Sequence, residues 1–205
     1  ILRIMAEFIE GFEFLADLKK EVSIFGSTRI PEGDYYYGVA RNLGFMLGKG
    51  GFTVITGGGP GIMEAGNRGA AESGAPSVGI NIQLPREQRI NPYVTKGKGF
   101  YYFFTRKIML TISSQAYIFF PGGYGTLDEL MEILELIQTK KMKKIPIVLV
   151  GKKFWGGFVD WIKNAMLTGH EYIDPEIDLS FFEIVDTAEE AFKIISTSKE
   201  REIFE

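Results

Sequence analysis

Residues 52–62 read FTVITGGGPGI and join a short apolar strand to a helix through a glycine-rich turn. The strand, Phe52–Thr56, is rich in β-branched residues, and the segment Ile62–Ser73 after the turn has helical spacing of its apolar residues. The same succession of strand, turn and helix recurs along the chain. Alternation of apolar strands with helices predicts a parallel sheet that is covered by helices on both faces.

The boundaries of the remaining elements follow from periodicity and from turn residues. Strands are expected at Val22–Gly26, Phe52–Thr56, Ser77–Ile82, Ala116–Phe120, Ile147–Val150 and Phe181–Val185. Helices are expected at 1–18, Tyr35–Gly48, Ile62–Ser73, Phe103–Ser113, Leu127–Lys140, Trp155–Met166 and Ala188–Thr197, and Gln83–Gly99 is expected to be a polar loop. Because crossovers between parallel strands are right-handed, the pattern predicts a three-layer, doubly wound, Rossmann-like α/β fold. We expect a single nucleotide-binding domain over residues 1–205, in which residues 1–18 form an N-terminal docking and oligomerisation helix.

Composition excludes several classes of protein and of site. The chain has 205 residues, 45% of them hydrophobic, and a net charge of −3, so a disordered chain, a general nucleic-acid binder and a membrane-surface protein are not expected. It has no Cys and one His, His170, which removes disulfides, thiolate chemistry and most zinc sites. No apolar run approaches the ~20 residues of a membrane helix, and the acidic N-terminus resembles no leader peptide. We therefore expect a cytoplasmic protein, and because no initiator Met is present we expect that this sequence starts inside a longer chain.

The N-terminal helix has two apolar strips. Ile4, Phe8, Phe12 and Leu15 form one, and Ile1, Met5 and Ile9 form the other. One strip can dock on the chain's own core, and the second is then left for a partner surface, since monomers seldom expose a continuous apolar patch. This pattern favours a homo-oligomer, with the helix supporting assembly.

Three strand ends carry unusual residues, and in a doubly wound sheet such ends face one crevice where ligands bind. They are Gly26-Ser27, Gly57–Gly61 and Pro121–Thr126. The second segment matches neither the G-x-G-x-x-G fingerprint nor a Walker A motif, so NAD is not expected. Its glycines suit either an anion at a helix N-terminus or a tight turn with close helix–sheet packing.

The third segment reads PGGYGTLDE over residues 121–129. Its N–H groups and the Thr126 hydroxyl suit a phosphate. Asp128 and Glu129 either complement the helix dipole or reach the sugar attached to that phosphate. Thr105-Arg106-Lys107 opens another helix, where cations are disfavoured by the dipole, so an anionic partner would explain them. The aromatic run Phe100–Phe104 is more typical of core than of a base-stacking surface.

These motifs together resemble the LOG ("Lonely guy") family of cytokinin riboside 5′-monophosphate phosphoribohydrolases. The resemblance is carried by GGGPGIMEA over residues 57–65, by Arg106-Lys107 and by the P-G-G-x-G-T-x-x-E signature that ends at Glu129. It covers about residues 1–195. The N-terminal helix, with Leu84–Gln88 and Asn91, is similar to the longer bacterial branch. Members are often described as possible lysine decarboxylases, a chemistry that nothing in this sequence supports, since no Schiff-base lysine pattern is present.

The resemblance implies hydrolysis of the N-glycosidic bond of a nucleoside 5′-monophosphate, with AMP or N6-prenyl-AMP as substrate and without a cofactor or metal. It implies a homodimer or higher oligomer with the site near the interface. It assigns catalysis to Arg106 and Glu129. With the strand-end residues and one residue of the long loop added, the substrate-binding set is Gly26, Ser27, Gly58, Gly59, Gln88, Lys107, Gly122, Gly123, Tyr124, Gly125 and Thr126.

Two other classes of function stay open at this stage. Molybdenum-cofactor carrier proteins share this fold and a similar glycine-rich loop, and hold their ligand without turning it over. A nucleotide-sensing or interaction protein would use the N-terminal helix for assembly. Arg106 together with Glu129 favours the enzyme. Base preference is expected to depend on the Gln83–Asn91 loop.

Overall fold

The computed structural model describes residues 1–83, 90–168 and 172–200. Seven helices of the α type and seven strands alternate in the described part of the chain. The strands are β1 (Glu21–Phe25), β2 (Thr53–Thr56), β3 (Ser77–Ile82), β4 (Lys96–Phe100), β5 (Ala116–Phe119), β6 (Ile147–Val150) and β7 (Glu183–Val185). The helices are α1 (Leu2–Ala16), α2 (Tyr35–Lys49), α3 (Ile62–Ser73), α4 (Phe103–Ile112), α5 (Tyr124–Gln138), α6 (Lys152–Ile162) and α7 (Ala188–Ile195).

All seven strands form one parallel sheet in the order β4-β3-β2-β1-β5-β6-β7. Val22 of β1 lies opposite Val54 of β2 on one side and opposite Ala116 of β5 on the other. The chain runs outward from β1 in one direction and from β5 in the other, so the order reverses between these two strands. The predicted doubly wound fold is confirmed, and its switch point lies at the ends of β1 and β5.

Two apolar cores flank the sheet. One lies under α2, α3 and α7 and includes Leu43, Leu47 and Ile62. The other lies under α1, α4, α5 and α6 and includes Leu15, Met109 and Trp155. The central strands β1, β2, β5 and β6 are buried along their whole length, which is why they read as short continuous apolar runs. Among the described residues, no helix has the length and apolar character needed to span a bilayer.

Strand β4 corrects the expectation of a continuous loop over Gln83–Gly99. Its sequence, Lys-Gly-Lys-Gly-Phe, has no apolar alternation, and only Phe100 is buried. The backbone defines the strand, since all five residues pair with β3 from Val78 to Ile82. An edge strand with one buried side chain gives almost no hydrophobic signal.

Helix α5 begins at Tyr124, three residues before the expected start at Leu127. Gly123 is the residue before the helix, and its carbonyl accepts from the Thr126 and Leu127 N–H groups, each at 3.1 Å. Tyr124 and Gly125, expected in the turn, therefore form the first turn of the helix. This places the glycine-rich segment at the positive end of the helix dipole.

Helix α1 docks on its own chain with one of its two apolar strips. Leu15 is buried, while Phe8 and Phe12 pack against the core beside α4. Gly11 permits the close approach, because a Cβ there would lie 2.7 Å from the Met109 sulfur. The second strip stays exposed, with Ile1 94% and Ile9 57% accessible.

Candidate active site

A crevice of about 810 Å³ opens at the carboxyl ends of β1, β2 and β5, where the strand order reverses. Most of the residues singled out from the sequence meet there. Those that line it are Gly26, Ser27, Gly57, Arg106, Gly122, Gly123, Tyr124, Gly125, Thr126, Asp128 and Glu129. The structure thus brings the three strand-end segments to one cleft, in the place where doubly wound sheets bind ligands.

The segment Pro121–Thr126, called the open loop from here on, connects β5 to α5. It is tied to the end of β1 by a hydrogen bond from the Ser27 N–H to the Pro121 carbonyl at 3.0 Å. A Cβ at Gly123 or Gly125 would meet no atom of the described residues within 4 Å, so this backbone faces the open space of the crevice. No side chain in the described ranges caps α5, and the N–H groups of an uncapped first turn suit an anion.

The segment Thr56–Gly61, called the closed loop from here on, connects β2 to α3. Its glycines are packed against neighbours. A Cβ at Gly57 would lie 2.5 Å from Arg106 Nη2, and one at Gly61 would lie 2.4 Å from the Ser27 carbonyl oxygen. Gly61 also has a φ of +71°, a region that favours glycine. Glycine is required here by close packing, which is the alternative that the sequence left open.

A buried polar network holds the closed loop. Thr56 Oγ1 donates to Asn67 Oδ1 at 2.6 Å and accepts from the Gly58 N–H at 2.9 Å. Asn91 Nδ2 donates to the Gly59 carbonyl at 3.1 Å and to Asn67 Oδ1 at 2.9 Å. The Asn91 N–H donates to the Gly58 carbonyl at 2.8 Å. The loop's polar groups are therefore engaged from behind, and Gly58 and Gly59, expected to bind substrate, do not line the crevice.

Glu129 lies in the first turns of α5 and is only 5% exposed. Its Oε2 atom has no hydrogen-bond partner among the described residues. Burial raises the pKa of Glu129 to about 7, although Lys107 and Arg106 oppose the rise. A buried carboxylate with a free oxygen in a cleft is a typical catalytic group, because its charge is available to a reacting centre.

Arg106 enters the crevice from α4. Its Nε donates to the Ile80 carbonyl at 2.9 Å, and the guanidinium lies 5.8 Å from the centre of the Phe103 ring. Burial lowers the pKa of Arg106 and the charge of Glu129 raises it; the group stays a cation at physiological pH. One nitrogen of the fork is thus anchored on β3, while the rest faces Gly57 and the cleft.

Lys107 has a different environment from its neighbour. Its Nζ pairs with Asp128 Oδ2 at 2.5 Å and with Glu132 Oε2 at 3.1 Å, which joins α4 to α5. The side chain does not line the crevice. The sequence predicts an anionic partner for the cations at the start of α4, and for Lys107 that partner is a pair of carboxylates of this chain.

The predictions for Gln88 and His170 are not tested by the structure, and the prediction for the aromatic run is only partly correct. Gln88 and His170 lie outside the described residues. The aromatic run Phe100–Phe104, expected in the core, is divided: Phe100 is buried, but Phe103 and Phe104 are exposed, and Phe103 lines the crevice. Helix α4 turns these two side chains outward because Thr105 and Met109 occupy its buried face.

Sequence reasoning missed the apolar wall of the crevice and the network behind the closed loop. The wall consists of Met63, Ile82, Phe103 and Phe154. Asn67 had a detectable signal, since it is a polar residue on the buried face of α3. Asn91 had none, because its partners are distant in sequence. Among the described residues, no group of three or more Asp, Glu or His side chains has an arrangement suited to a metal ion.

A second cavity of about 770 Å³ lies between the end of α5 and residues 172–181. Two of its polar side chains bond to neighbours: Lys144 Nζ donates to Ser180 Oγ at 3.1 Å, and Gln138 Nε2 donates to Asp178 Oδ2 at 2.5 Å. It has neither a glycine-rich strand end nor a buried free carboxylate. The crevice at the switch point is therefore the candidate active site.

Residues 63–195 match a protein family described as possible lysine decarboxylase. A probable cytokinin riboside 5′-monophosphate phosphoribohydrolase from Oryza sativa subsp. japonica is 32% identical over 153 residues, which span 73% of this chain and 62% of that protein. A pyrimidine/purine nucleotide 5′-monophosphate nucleosidase from Escherichia coli (strain K12) is 32% identical over 152 residues, which span 64% of this chain and 31% of that protein. The chain thus spans less than two thirds of either relative.

Among solved structures, the molybdenum cofactor carrier protein from Chlamydomonas reinhardtii superposes with a TM-score of 0.64. It is 20% identical, and the match covers 85% of this chain and 94% of that one. At this identity the likeness establishes a shared fold and carries no statement about function.

Proposed function

This chain belongs to the LOG family, described as possible lysine decarboxylase, and we propose that it hydrolyses the N-glycosidic bond of a nucleoside 5′-monophosphate. The products are a free base and ribose 5-phosphate, and AMP or N6-prenyl-AMP is the proposed substrate. The observation that carries the proposal is the buried Oε2 of Glu129, which has no hydrogen-bond partner in the part of the chain that the structure describes, beside an open loop of glycines. The names of the rice and E. coli relatives support the reaction class.

The phosphate binds at the open loop in this proposal. The backbone N–H groups of Gly122–Gly125 and the Thr126 hydroxyl supply donors, and the helix dipole of α5 favours the negative charge. Binding energy from the phosphate, remote from the bond that breaks, then fixes the ribose at the reacting centre.

Glu129 acts on the sugar. As the C1′–N bond breaks, its electron pair goes to the base and positive charge develops on the ribose ring, which an adjacent carboxylate stabilises. A water oxygen forms the new bond to C1′, and Glu129 accepts the proton that this water loses. The departing base takes up one proton from solvent to leave as the neutral base, and Glu129 then returns its proton to solvent. The ionised form of Glu129 is required for both roles. With a pKa of about 7, activity is expected to fall as the pH drops below neutrality.

Arg106 has two roles that suit its position: it holds the phosphate, or it polarises the departing base. The apolar wall formed by Met63, Ile82, Phe103 and Phe154 offers the base a surface of matching character. Gly58, Gly59, Lys107 and Gln88 remain proposals as substrate-binding residues, and the first three would have to reach the substrate from outside the crevice lining.

Chromatography of AMP, N6-prenyl-AMP and adenosine incubated with the protein tests the proposal. Base release from the two nucleotides, with adenosine cleaved at least about 100-fold more slowly, is expected if the phosphate organises the sugar. Glu129→Gln is the matched control for contaminating hydrolases. Equal rates on AMP and adenosine would contradict the phosphate cradle. Saturable binding without base release would instead support the carrier or sensing functions.

We also propose that the protein is a homo-oligomer and that the exposed strip of α1 contributes to its interface. Ile1, Met5 and Ile9 are exposed while the opposite strip is docked. The double variant Met5→Glu/Ile9→Glu is expected to lower the mass measured by light scattering. Lys193→Glu, the same total change of charge at an exposed position of α7 on the other side of the sheet, is the control and keeps the mass. An unchanged mass of the double variant contradicts this role for the helix.

A further inference from the structure

Helix α1 supplies the cap of helix α4. The carboxylate of Glu7 accepts from the backbone N–H groups of Tyr101 at 2.8 Å and Tyr102 at 3.3 Å, and from the Thr105 hydroxyl at 2.6 Å. The residue before α4 is Tyr102, whose own side chain makes no capping hydrogen bond. Glu7 thus binds the N–H of Tyr102, the residue before α4, the N–H of Tyr101 just ahead of it, and the Thr105 side chain in the first turn, from a position 94 or more residues earlier in the chain.

The charge of Glu7 suits this position. Helix α4 has no acidic residue in its first turn, and it carries Arg106 and Lys107 close to the positive end of its dipole, where cations are disfavoured. A carboxylate at this end offsets both effects. Burial alone would raise the pKa of Glu7, but the hydrogen bonds from Thr105, Tyr101 and Tyr102 hold it below 4.5, so Glu7 is ionised at neutral pH.

The start of α4 also determines where Arg106 lies. The Arg106 N–H donates to the Tyr102 carbonyl at 3.3 Å, so its backbone is fixed by the same turn that Glu7 caps. Its side chain then reaches the Ile80 carbonyl on β3. Unwinding of residues 102–105 would break the backbone hydrogen bond of Arg106 and would shift the position from which its side chain reaches the Ile80 carbonyl.

Helix α1 is itself held firmly enough to act as a support. Gly11 lies against Met109 and Phe100, and the Arg3 guanidinium stacks 3.9 Å from the centre of the Tyr101 ring. Glu7 is therefore delivered to α4 by a docked helix.

We propose that Glu7 is a positioning residue for the reaction: by capping α4 from α1, it fixes Arg106 in the crevice. This inference rests on the proposed function. It gives the N-terminal helix a role inside its own subunit, separate from any role in assembly.

Glu7→Ala is the variant that removes the cap, and Glu10→Ala is its matched control. Glu10 lies on the same helix and pairs with Lys98 of β4, away from α4. Glu7→Ala is expected to lower kcat for AMP about tenfold, with KM changed by less than about twofold, in line with the loss of one charged cap. Glu10→Ala should keep the wild-type kcat. Glu7→Gln, which retains an acceptor oxygen without the charge and preserves the size of the side chain, should lie between them.

A second measurement reads the position of Arg106 without using activity. Phenylglyoxal modifies arginines that are accessible, and peptide mass spectrometry gives the rate at Arg106. The rate is expected to rise several-fold in Glu7→Ala and to stay unchanged in Glu10→Ala. Hydrogen exchange of the amides of residues 101–106 should accelerate in the same variant.

Three results would overturn the proposal: a wild-type kcat in Glu7→Ala, an equal loss in Glu10→Ala, or an unchanged Arg106 modification rate. If the wild-type protein releases no base from any nucleotide, the proposed function fails. The modification rate then decides the positioning role by itself, with an increase supporting it and no change overturning it.

Discussion

The closed loop and the open loop are both glycine-rich connections from a strand to a helix at the same crevice, yet they use glycine for opposite reasons. In the closed loop, Gly57 and Gly61 are glycines because Arg106 and the Ser27 carbonyl occupy the space of a side chain. In the open loop, Gly123 and Gly125 leave space that nothing in the described structure fills. The closed loop packs Gly57 and Gly61 against other parts of the protein. The open loop presents Gly123 and Gly125 to the cleft and packs only Gly122, at which a Cβ would lie 2.0 Å from Thr126 Oγ1 of the same loop.

The difference separates a support from a binding surface. The closed loop is fixed from behind by Asn67 and Asn91 and has Arg106 packed against Gly57. The open loop leads into the helix that carries Glu129. We infer that each loop positions one proposed catalytic group. The closed loop positions Arg106 by packing against it, and the open loop positions Glu129 because it leads directly into α5.

The largest expected effect comes from removing those two groups. Arg106→Ala and Glu129→Gln should each lower kcat/KM for AMP by about 10² or more, as for removal of a charge that stabilises a transition state in a water-poor site. Steady-state kinetics with AMP measures this. Glu135→Gln, an exposed carboxylate on the same helix that does not line the crevice, is the control and should lose far less.

Adenosine as a second substrate distinguishes the two roles of Arg106. If Arg106 binds the phosphate, Arg106→Ala should affect AMP hydrolysis and leave the slow reaction of adenosine nearly unchanged. If it polarises the base, both substrates lose the same factor. Near-normal turnover of AMP by either catalytic variant would remove the basis for the enzyme.

The second prediction breaks the support of the closed loop. Asn91→Ala removes the donors to the Gly59 carbonyl and to Asn67, and leaves buried acceptors unsatisfied. We expect a loss of about 2 kcal/mol in the free energy of unfolding, as is common for buried polar groups without partners. Urea denaturation measures it. Tyr93→Ala, which truncates a half-buried neighbouring side chain and keeps the Tyr93 N–H that donates to Asn91 Oδ1 at 3.2 Å, is the control for general damage to this loop, and an equal loss there would contradict the specific role.

The third prediction concerns the free energy of unfolding that is lost by burying the Glu129 carboxylate in α5. Because the pKa of Glu129 is about 7 in the folded protein and 4.5 ordinarily, the folded state binds more protons than the unfolded state between these values. Stability from this group is therefore complete below pH 4.5 and is lost as the pH rises to about 7. The shift corresponds to at most about 3 kcal/mol.

Glu129→Gln should accordingly be more stable than the wild type at pH 8, by about 1–2 kcal/mol, with a smaller difference at pH 5. Thermal unfolding at both values tests this. A variant that is equally destabilised at both pH values would show that Glu129 is a structural residue.

The smallest effects come from a matched pair of glycines. Gly57→Ala places a Cβ 2.5 Å from Arg106 Nη2, so we expect a loss of kcat of about tenfold, which corresponds to about 1.4 kcal/mol. Gly125→Ala has space for its Cβ and lies in a helix, so it should stabilise the fold by about 0.5–1 kcal/mol. Its methyl group intrudes on the cradle and should raise KM for AMP but not for adenosine. If Gly57→Ala changed KM and Gly125→Ala changed kcat, the closed loop would be the binding surface and the open loop the support.

Much of the fold could be predicted from local patterns. The central strands are predictable because each is buried on both faces and is therefore mostly apolar or β-branched. Strand β4 was missed because its backbone, and not its side chains, defines it. The start of α5 was placed too late because Gly125 is an unusual helix residue.

The candidate site likewise contains some features that local sequence predicts and others that it does not. The glycine-rich segments and Arg106 are visible in the sequence because each motif is continuous. The support of Asn91 for the closed loop, the cap of Glu7 on α4 and the pairing of Lys107 with Asp128 join segments that are 20 or more residues apart. No local pattern encodes such pairs, so only the folded chain reveals which polar residues serve a partner and which are free.

Strand β4 has a consequence for the behaviour of the protein at high concentration. It ends the strand order, and a strand in that position offers its backbone to another molecule, which is a common route to aggregation. Lys96 and Lys98 alternate with glycines there. Lys96 pairs with Asp17, the residue after α1, and Lys98 pairs with Glu10 of α1. Lysines on an edge strand disfavour addition of a second, identical strand. The alternation of lysine and glycine that gives β4 no hydrophobic signal thus also disfavours pairing of its free edge with a strand of a second molecule.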